Sequence, residues 1–246
     1  MIKFFRHIRK SLLMENKTGK YLKYAIGEIV LVVIGILIAL SINNWNELQK
    51  TQQQEQELYV KLLENLDSEL NLIHKVDSVF RIHEDIHYNL YNTMIGKATY
   101  DPNIRYGIFR WSVNFDPTFK DNYQNKVDGI SNDIIREAII DYFKEEEKAE
   151  RIVGFFEKLK ADMVRPYITR NNLMNLEDVY VEKRYQEVDT RNSINYEALA
   201  KQFNTPEFEQ ILYELRIKIS AGFQNLRALT EANHKLRKIL KAELKQ

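Results

Sequence analysis

The chain has 246 residues, no cysteine and a formal net charge of +1. The lack of cysteine excludes disulfides, thiol catalysis and cysteine metal sites, and the balanced charge provides no electrostatic basis for binding nucleic acid. With 8 glycines and 4 prolines the chain is poor in turn-forming residues, which favours long helices over a β-rich fold.

The chain begins with a basic segment, residues 1–23, in which apolar side chains recur at helical spacing (MIKFFRHIRKSLL). The pattern predicts an amphipathic leader on the inner face of a membrane, with anionic lipid as its natural partner. The alternative is a disordered basic tail, because a helix this short is marginal in water.

The longest apolar run, AIGEIVLVVIGILIALSI, lies between Ala25 and Ile42. Its length approaches the roughly 20 apolar residues with which a helix crosses a bilayer. Tyr24 and Trp45 flank the run, where aromatic rings favour the headgroup level. The sequence therefore predicts a transmembrane helix over residues 24–45, with the lipid bilayer as its partner.

Charge sets the expected orientation of this anchor. Basic residues dominate before the run and glutamates follow it, which places the N-terminus in the cytoplasm and residues 46–246 in the periplasm, on the far side of the inner membrane. A cleaved signal peptide is the alternative, because Ala39-Leu40-Ser41 resembles a cleavage site. The long leader, the long apolar run and the absence of a helix breaker after Ile42 favour an uncleaved anchor.

Two features inside the apolar run have both a plain and a functional interpretation. Glu28 is expected to be a carboxylate near the cytoplasmic boundary, and the alternative is a buried polar or proton-linked contact. Gly35 and Ala39 form a small-xxx-small pair that would allow two anchors to pack closely in a homo-oligomer.

The block KYLKYAIGEIVLVVIGILIALSINNWNE, together with the FFRHIRK leader, closely resembles the N-terminal signature of a family of uncharacterised membrane proteins of Gram-negative bacteria, known only as a domain of unknown function. The resemblance implies a basic leader, one anchor, an Asn-Asn-Trp exit and a mostly helical extracytoplasmic domain. It covers about the first 47 residues and implies no activity.

Two long helices are predicted after the anchor, over 47–95 and from Ser131 to the residue before Pro166. The first carries apolar side chains at alternating spacings of three and four, with Glu69, His83 and His87 in the gaps. In the second, the same spacing is interrupted only by Glu145 and is otherwise held by Ile135, Ala138, Tyr142, Ala149, Ile152, Phe156, Leu159 and Met163.

The connections between the long helices are predicted to be irregular. Residues 96–117 are rich in aromatic side chains and are expected to pack over the core, with an exposed binding surface as the alternative. Asp116 and Pro117 resemble a helix N-cap and first helical residue, which predicts a short helix over 118–127. Residues 166–204 should contain only short helices, near 167–174 and 196–203.

Thr205 and Pro206 predict the start of a last long helix by the same capping chemistry. Its buried stripe is expected to follow a heptad seam: Phe208, Leu212, Leu215, Ile219, Gly222, Leu226, Leu229, Asn233, Leu236 and Leu240. Asn233 should fix the register and Gly222 should permit a close approach between helices. The predicted fold class is all-α: one transmembrane helix that continues into an antiparallel, coiled-coil-like bundle of long helices with short accessory helices.

The sequence His83-Glu84-Asp85-Ile86-His87 matches H-E-x-x-H, in which two histidines bind zinc and the glutamate polarises the attacking water. Peptidases that the motif resembles usually have an uncharged residue at the position of Asp85. No recognisable third zinc ligand follows the motif. Because both histidines lie on the apolar stripe, we expect His83 and His87 to pack in the bundle, or to line a layer with acids from neighbouring helices. They are the only candidate metal ligands, and no catalytic or cofactor-binding residue is predicted.

The sequence favours a non-enzymatic protein that binds or scaffolds other membrane or periplasmic proteins, or associates with itself. The first alternative is a periplasmic ligand sensor that acts through a partner, since the cytoplasmic part carries no output domain. The remaining alternative is a zinc metallopeptidase built on the H-E-x-x-H motif.

Overall fold

The structure, a computed structural model, describes residues 18–180 and 190–245. Over these residues the fold is helical without a β-strand, and the only bridge is an isolated antiparallel one between Met174 and Ile194. This confirms the all-α class. The chain divides into two compact units, Met1–Leu58 and Tyr59–Gln246. The predicted leader lies outside the described residues as far as position 17.

The first helix, α1, spans Thr18–Met94 and contains both the apolar run and the helix predicted over 47–95. Among the described residues, its segment Ala25–Met94 is the one helix long and apolar enough to cross a membrane. The side chains of the apolar run are exposed, as at Ile29 and Leu31, which are 63% and 65% accessible. A helix with such a surface suits hydrocarbon better than water.

The second unit contains the remaining helices. They are α2 (Phe119–Tyr123), α3 (Asp133–Leu159), α4 (Arg165–Arg170), α5 (Tyr196–Ala200) and α6 (Pro206–Glu243). Two 3-10 helices cover Tyr106–Arg110 and Val127–Gly129, and a π-helix covers Lys160–Val164 between α3 and α4.

Helix α6 is antiparallel to α1. Asn233, towards the end of α6, donates a hydrogen bond from Nδ2 to the carbonyl of Leu66 (2.9 Å). Arg216, nearer the start of α6, forms an ion pair with Glu84, which lies later in α1. All ten predicted seam positions of α6 are buried, so the heptad prediction identified the core face of this helix.

Helix α6 is antiparallel to α3 as well, because Asn132 at the start of α3 donates to Glu243 at the end of α6 (3.1 Å). Two helices that are each antiparallel to a third run in the same direction, so α1 and α3 are parallel. The long connection over 95–132 makes this possible, because it brings the chain back to the end of the second unit at which α1 enters.

In and after the second half of α3 the predicted seam is right at Ala149 and Phe156 but wrong by one residue at four other positions. Glu146, Val153, Lys160 and Val164 are buried where Glu145, Ile152, Leu159 and Met163 were expected. Because the prediction considered only apolar residues, it placed Leu159 and Met163 in the seam and left out Lys160. The observed buried positions keep the period of 3.6 residues, which carries Lys160 into the core.

The predicted end of the second long helix before Pro166 is also wrong. Helical conformation continues through the π-helix Lys160–Val164 into α4, where Pro166 takes one of the first helical positions. Proline lacks an N–H and its ring clashes with the carbonyl four residues earlier, and a wider π-turn directly before it accommodates both defects. Downstream, the observed short helices Arg165–Arg170 and Tyr196–Ala200 lie near the predicted ones.

The capping predictions were right in position only at Thr205. Helix α6 starts at Pro206, but the Thr205 hydroxyl donates to the Gln202 carbonyl (2.7 Å) instead of accepting from the helix. The short helix α2 starts later than predicted, at Phe119, and Asp116 and Pro117 do not cap it.

Candidate functional site

His83 and His87 lie one turn apart on α1 and face the interior of the second unit. Their side chains are 0% and 5% accessible, which confirms that they pack inside the bundle. The ring of His83 meets the edge of the Phe156 ring at 5.1 Å between centroids, and the ring of His87 lies 5.4 Å from that of Phe109. Helix α3 and the 3-10 helix Tyr106–Arg110 therefore supply aromatic contacts to the two histidines.

Lys160 completes this layer. It is fully buried, and its Nζ donates a hydrogen bond to the Phe109 carbonyl (2.6 Å). The same Nζ lies 5.0 Å from the ring centroids of both Phe109 and Phe156. The expected layer of histidines with acids is therefore wrong, because the neighbouring helix contributes a lysine. We call His83, His87 and Lys160 the histidine–lysine layer.

Burial disfavours the charged form of every nitrogen base in this layer. It lowers the pKa of His83 from 6.5 to about 2, with the charge of Lys160 as the second cause. Burial also lowers the pKa of His87, followed by the charges of Lys160, His83 and Arg216. The pKa of Lys160 is well below its ordinary value for the same main reason. None of the imidazole nitrogens has a hydrogen-bond partner among the described residues.

The H-E-x-x-H motif provides two histidines but not the rest of a zinc site. No group of three or more His, Cys, Asp or Glu residues is placed to hold a metal ion in the described part of the chain. Glu84, the glutamate of the motif, forms an ion pair with Arg216 of α6. A catalytic zinc is held by three protein ligands, and the described residues bring no third ligand to His83 and His87.

A cleft of about 560 Å³ opens beside the histidine–lysine layer, between the end of α1 and the first part of α6. His87 belongs to its lining, so the cleft reaches the buried layer. Its walls are mainly apolar and aromatic: Tyr88, Tyr91, Met94, Ile95, Leu212 and Tyr213. We call this the His87 cleft.

Polar groups of the His87 cleft are few. Two carboxylates, Glu84 and Glu209, and one guanidinium, Arg216, contribute to its lining together with Asn204. Since Arg216 pairs with Glu84, the carboxylate of Glu209 has no salt-bridge partner among the described residues. An apolar cleft with a few polar groups is the usual form of a small-molecule site.

A second buried polar layer lies nearer the start of the second unit. Glu69 of α1 accepts hydrogen bonds from the backbone N–H and the hydroxyl of Thr118 (2.9 and 3.2 Å). Glu146 of α3 accepts from the backbone N–H of Lys120 (3.1 Å). Two carboxylates from the long helices thus satisfy the N-terminal donors of α2, which explains why Asp116 is not needed as a cap.

Sequence reasoning missed Lys160 and Glu146, and it missed the cleft. The period of α3, continued strictly from Tyr142, would have identified Glu146 and Lys160. No local signal identifies the Phe109 carbonyl as the acceptor for Lys160. Apart from Leu212, the cleft residues of α6 lie beside its seam, where a heptad pattern predicts solvent exposure.

Searches of curated proteins and of solved structures found no match to the chain. The model of a family of unknown function (DUF6090) matches residues 28–93, which include most of the apolar run and both histidines of the buried layer. This match confirms the resemblance of the N-terminal part of the chain to an uncharacterised family.

Proposed function

We propose that the chain is a single-pass membrane protein whose helical domain binds a small ligand in the His87 cleft. The cleft itself carries the proposal. Its volume of about 560 Å³ lies within the range of about 300–1,000 Å³ that small-molecule sites occupy. Its walls are apolar, and it borders buried histidine nitrogens that have no hydrogen-bond partner among the described residues.

The address of the protein belongs to the same proposal. The apolar run anchors the chain in the inner membrane, with the N-terminus in the cytoplasm and residues 46–246 in the periplasm. The support is the excess of basic residues before the run together with the exposed apolar surface of α1. In this proposal the ligand-binding domain passes a signal on through a partner protein.

Of the functions predicted from the sequence, the His87 cleft favours the ligand sensor. Scaffolding through protein partners or self-association stays a prediction, as does the association of two anchors through Gly35 and Ala39. The zinc peptidase receives no support from Glu84, because this residue pairs with Arg216.

The proposed orientation can be tested with single cysteines, because the natural chain has none and gives no background. A membrane-impermeant maleimide should label Ser68→Cys in intact spheroplasts, since Ser68 is exposed in the second unit. The same reagent should label Lys10→Cys only after the membrane is permeabilised. The reverse pattern, or a mature chain that lacks its first residues by mass, would contradict the proposed topology.

Ligand binding can be tested on the full chain purified from its native membranes. Met94→Trp places a bulky ring in the His87 cleft, and Leu70→Trp places the same ring at a part-buried position elsewhere on α1. We expect a small molecule that co-purifies with the natural chain and with Leu70→Trp but not with Met94→Trp. If mass spectrometry of the extracts finds no compound with this pattern, the proposed ligand binding is wrong.

A further inference from the structure

The His87 cleft combines an excess of negative charge with aromatic walls. Its lining holds two carboxylates against one guanidinium, and the guanidinium of Arg216 is already paired with Glu84. The remaining carboxylate, Glu209, is exposed in the first turn of α6. His87 adds no positive charge at neutral pH, because burial lowers its pKa.

Three tyrosines supply the aromatic part of the lining. Tyr88, Tyr91 and Tyr213 are 69%, 50% and 62% accessible, and they come from α1 and α6. None of the three rings stacks against another ring among the described residues. At least half of each residue is therefore accessible to a ligand, and the face of an aromatic ring attracts a cation.

Apolar side chains cover much of the remaining lining. Met94, Ile95 and Leu212 give the cleft a surface that a small hydrated metal ion would not use, because such ions prefer oxygen ligands. An anion would be repelled by the carboxylate of Glu209, and a neutral apolar molecule would gain no attraction from it.

From these contacts we infer that the His87 cleft binds an organic ammonium cation with an apolar body. The ammonium group lies against the tyrosine rings and Glu209, and the apolar body lies against Met94, Ile95 and Leu212. The inference rests on the proposed ligand binding and adds the chemical class of the ligand.

Benzyltrimethylammonium is a suitable probe, since it joins a quaternary ammonium group to an apolar ring and is soluble in water. N-benzylacetamide and phenylmethanesulfonate are neutral and anionic probes of similar size. Saturation-transfer NMR would measure their binding to the full chain in lipid nanodiscs, with empty nanodiscs as the reference. We expect the cation to bind roughly threefold to thirtyfold more tightly than the neutral probe, the range that one cation–π contact supplies between an exposed and a desolvated site.

Variants locate the binding. Tyr213→Leu removes one ring and Glu209→Gln removes the charge, and each should weaken binding of the cation by roughly threefold or more. Glu231→Gln is the matched control, because Glu231 is an exposed carboxylate in the later part of α6. This variant should leave the Kd of the cation unchanged. Thermal unfolding of each variant checks that the fold is retained.

Three outcomes would overturn the inference. Equal or tighter binding of the neutral or anionic probe would show that the cleft binds ligands of another class, and the proposed function would stand. Unchanged binding of the cation by Tyr213→Leu and Glu209→Gln would place it outside the cleft. Failure of all three probes to bind would show that the ligand is not an organic ammonium cation. The proposed ligand binding would then still be tested by the comparison of compounds that co-purify with the natural chain and with Met94→Trp.

Discussion

The ring of Phe80 occupies the space that any side chain at position 222 would need. A Cβ atom on Gly222 would lie 2.6 Å from Cε1 and 2.9 Å from Cζ of this ring. Phe80 is fully buried and is held by Phe156 and Phe223, with ring centroids at 5.0 and 6.1 Å. The contact confirms the predicted close approach at Gly222 and identifies a side chain of α1 as its cause.

The substitution Gly222→Ala should therefore destabilise the protein. Alanine gains about 1 kcal/mol in helix propensity over glycine, but overpacking in a core costs about 1–3 kcal/mol. We expect a net fall in the free energy of unfolding of about 1 kcal/mol, measured by chemical denaturation of the full chain. Gly154→Ala is the matched control, because a Cβ on Gly154 in α3 meets nothing within 4 Å. The control should be stabilised, and a stabilised Gly222→Ala would contradict the contact.

Glu146 should make the protein less stable as the pH rises towards neutral. Burial is the main cause that raises its pKa from 4.5 to about 7, and the charges of Glu69, Asp121 and Glu150 add to the effect. Between pH 4.5 and 7 the folded chain keeps a proton that the unfolded chain releases, so the free energy of unfolding falls as the pH increases.

Glu146→Gln should remove this loss, which we expect to be about 1–3 kcal/mol between pH 5 and pH 8. The measurement is denaturant unfolding of the natural chain and the variant at both values. Glu145→Gln, at the neighbouring part-buried position, should keep the pH profile of the natural chain. Parallel profiles for Glu146→Gln and the natural chain would show that Glu146 does not hold the proton.

Replacement of Lys160 by methionine should stabilise the protein at neutral pH. Burial lowers its pKa well below 10.5, so the charged form of Lys160 is less stable in the folded chain than in the unfolded chain. Methionine fits between Phe109 and Phe156 without this cost, although the Phe109 carbonyl loses its hydrogen bond. From these two opposing effects we expect the free energy of unfolding to increase by about 1 kcal/mol at pH 7.

The pH dependence separates this effect from simple repacking. In the natural chain the free energy of unfolding should rise with pH towards 10.5, since the lowered pKa means that the unfolded state binds more protons at Lys160 than the folded state does in this range. Lys160→Met should lose this slope, and Lys158→Met, at an exposed position, should retain it. A variant that keeps the slope would contradict the assignment to Lys160.

The histidine pair should not make the stability of the protein depend on zinc. The nitrogens of His83 and His87 are buried beside Lys160, and the described residues provide no third ligand. We expect the same Tm for the full chain with excess zinc and with a chelator, and no bound zinc by elemental analysis after purification. A Tm that falls with the chelator in the natural chain but not in His83→Gln would restore the metal hypothesis.

Much of the fold could be predicted because it depends on periodicity within one segment. The stripe of α6 was read correctly from Phe208 to Leu240, since apolar residues hold nearly every buried position. The stripe of α3 was misread where Glu146 and Lys160 hold buried positions, because a pattern of apolar residues excludes charged side chains. The predicted cap of α2 at Asp116 was wrong for a related reason, because Glu69 of α1 accepts the hydrogen bond from the backbone N–H of Thr118.

By itself, the sequence determined that the protein is helical, that one apolar run suits a membrane, and that His83 and His87 face the core, because these properties follow from side chains along a single helix. Only the tertiary structure decided that Glu146 and Lys160 are buried and where the cleft forms. A buried polar group is stable when a distant segment satisfies or neutralises it, as the Phe109 carbonyl does for Lys160 and the Lys120 N–H does for Glu146. Such partners are separated along the chain by dozens of residues, and packing alone brings them together.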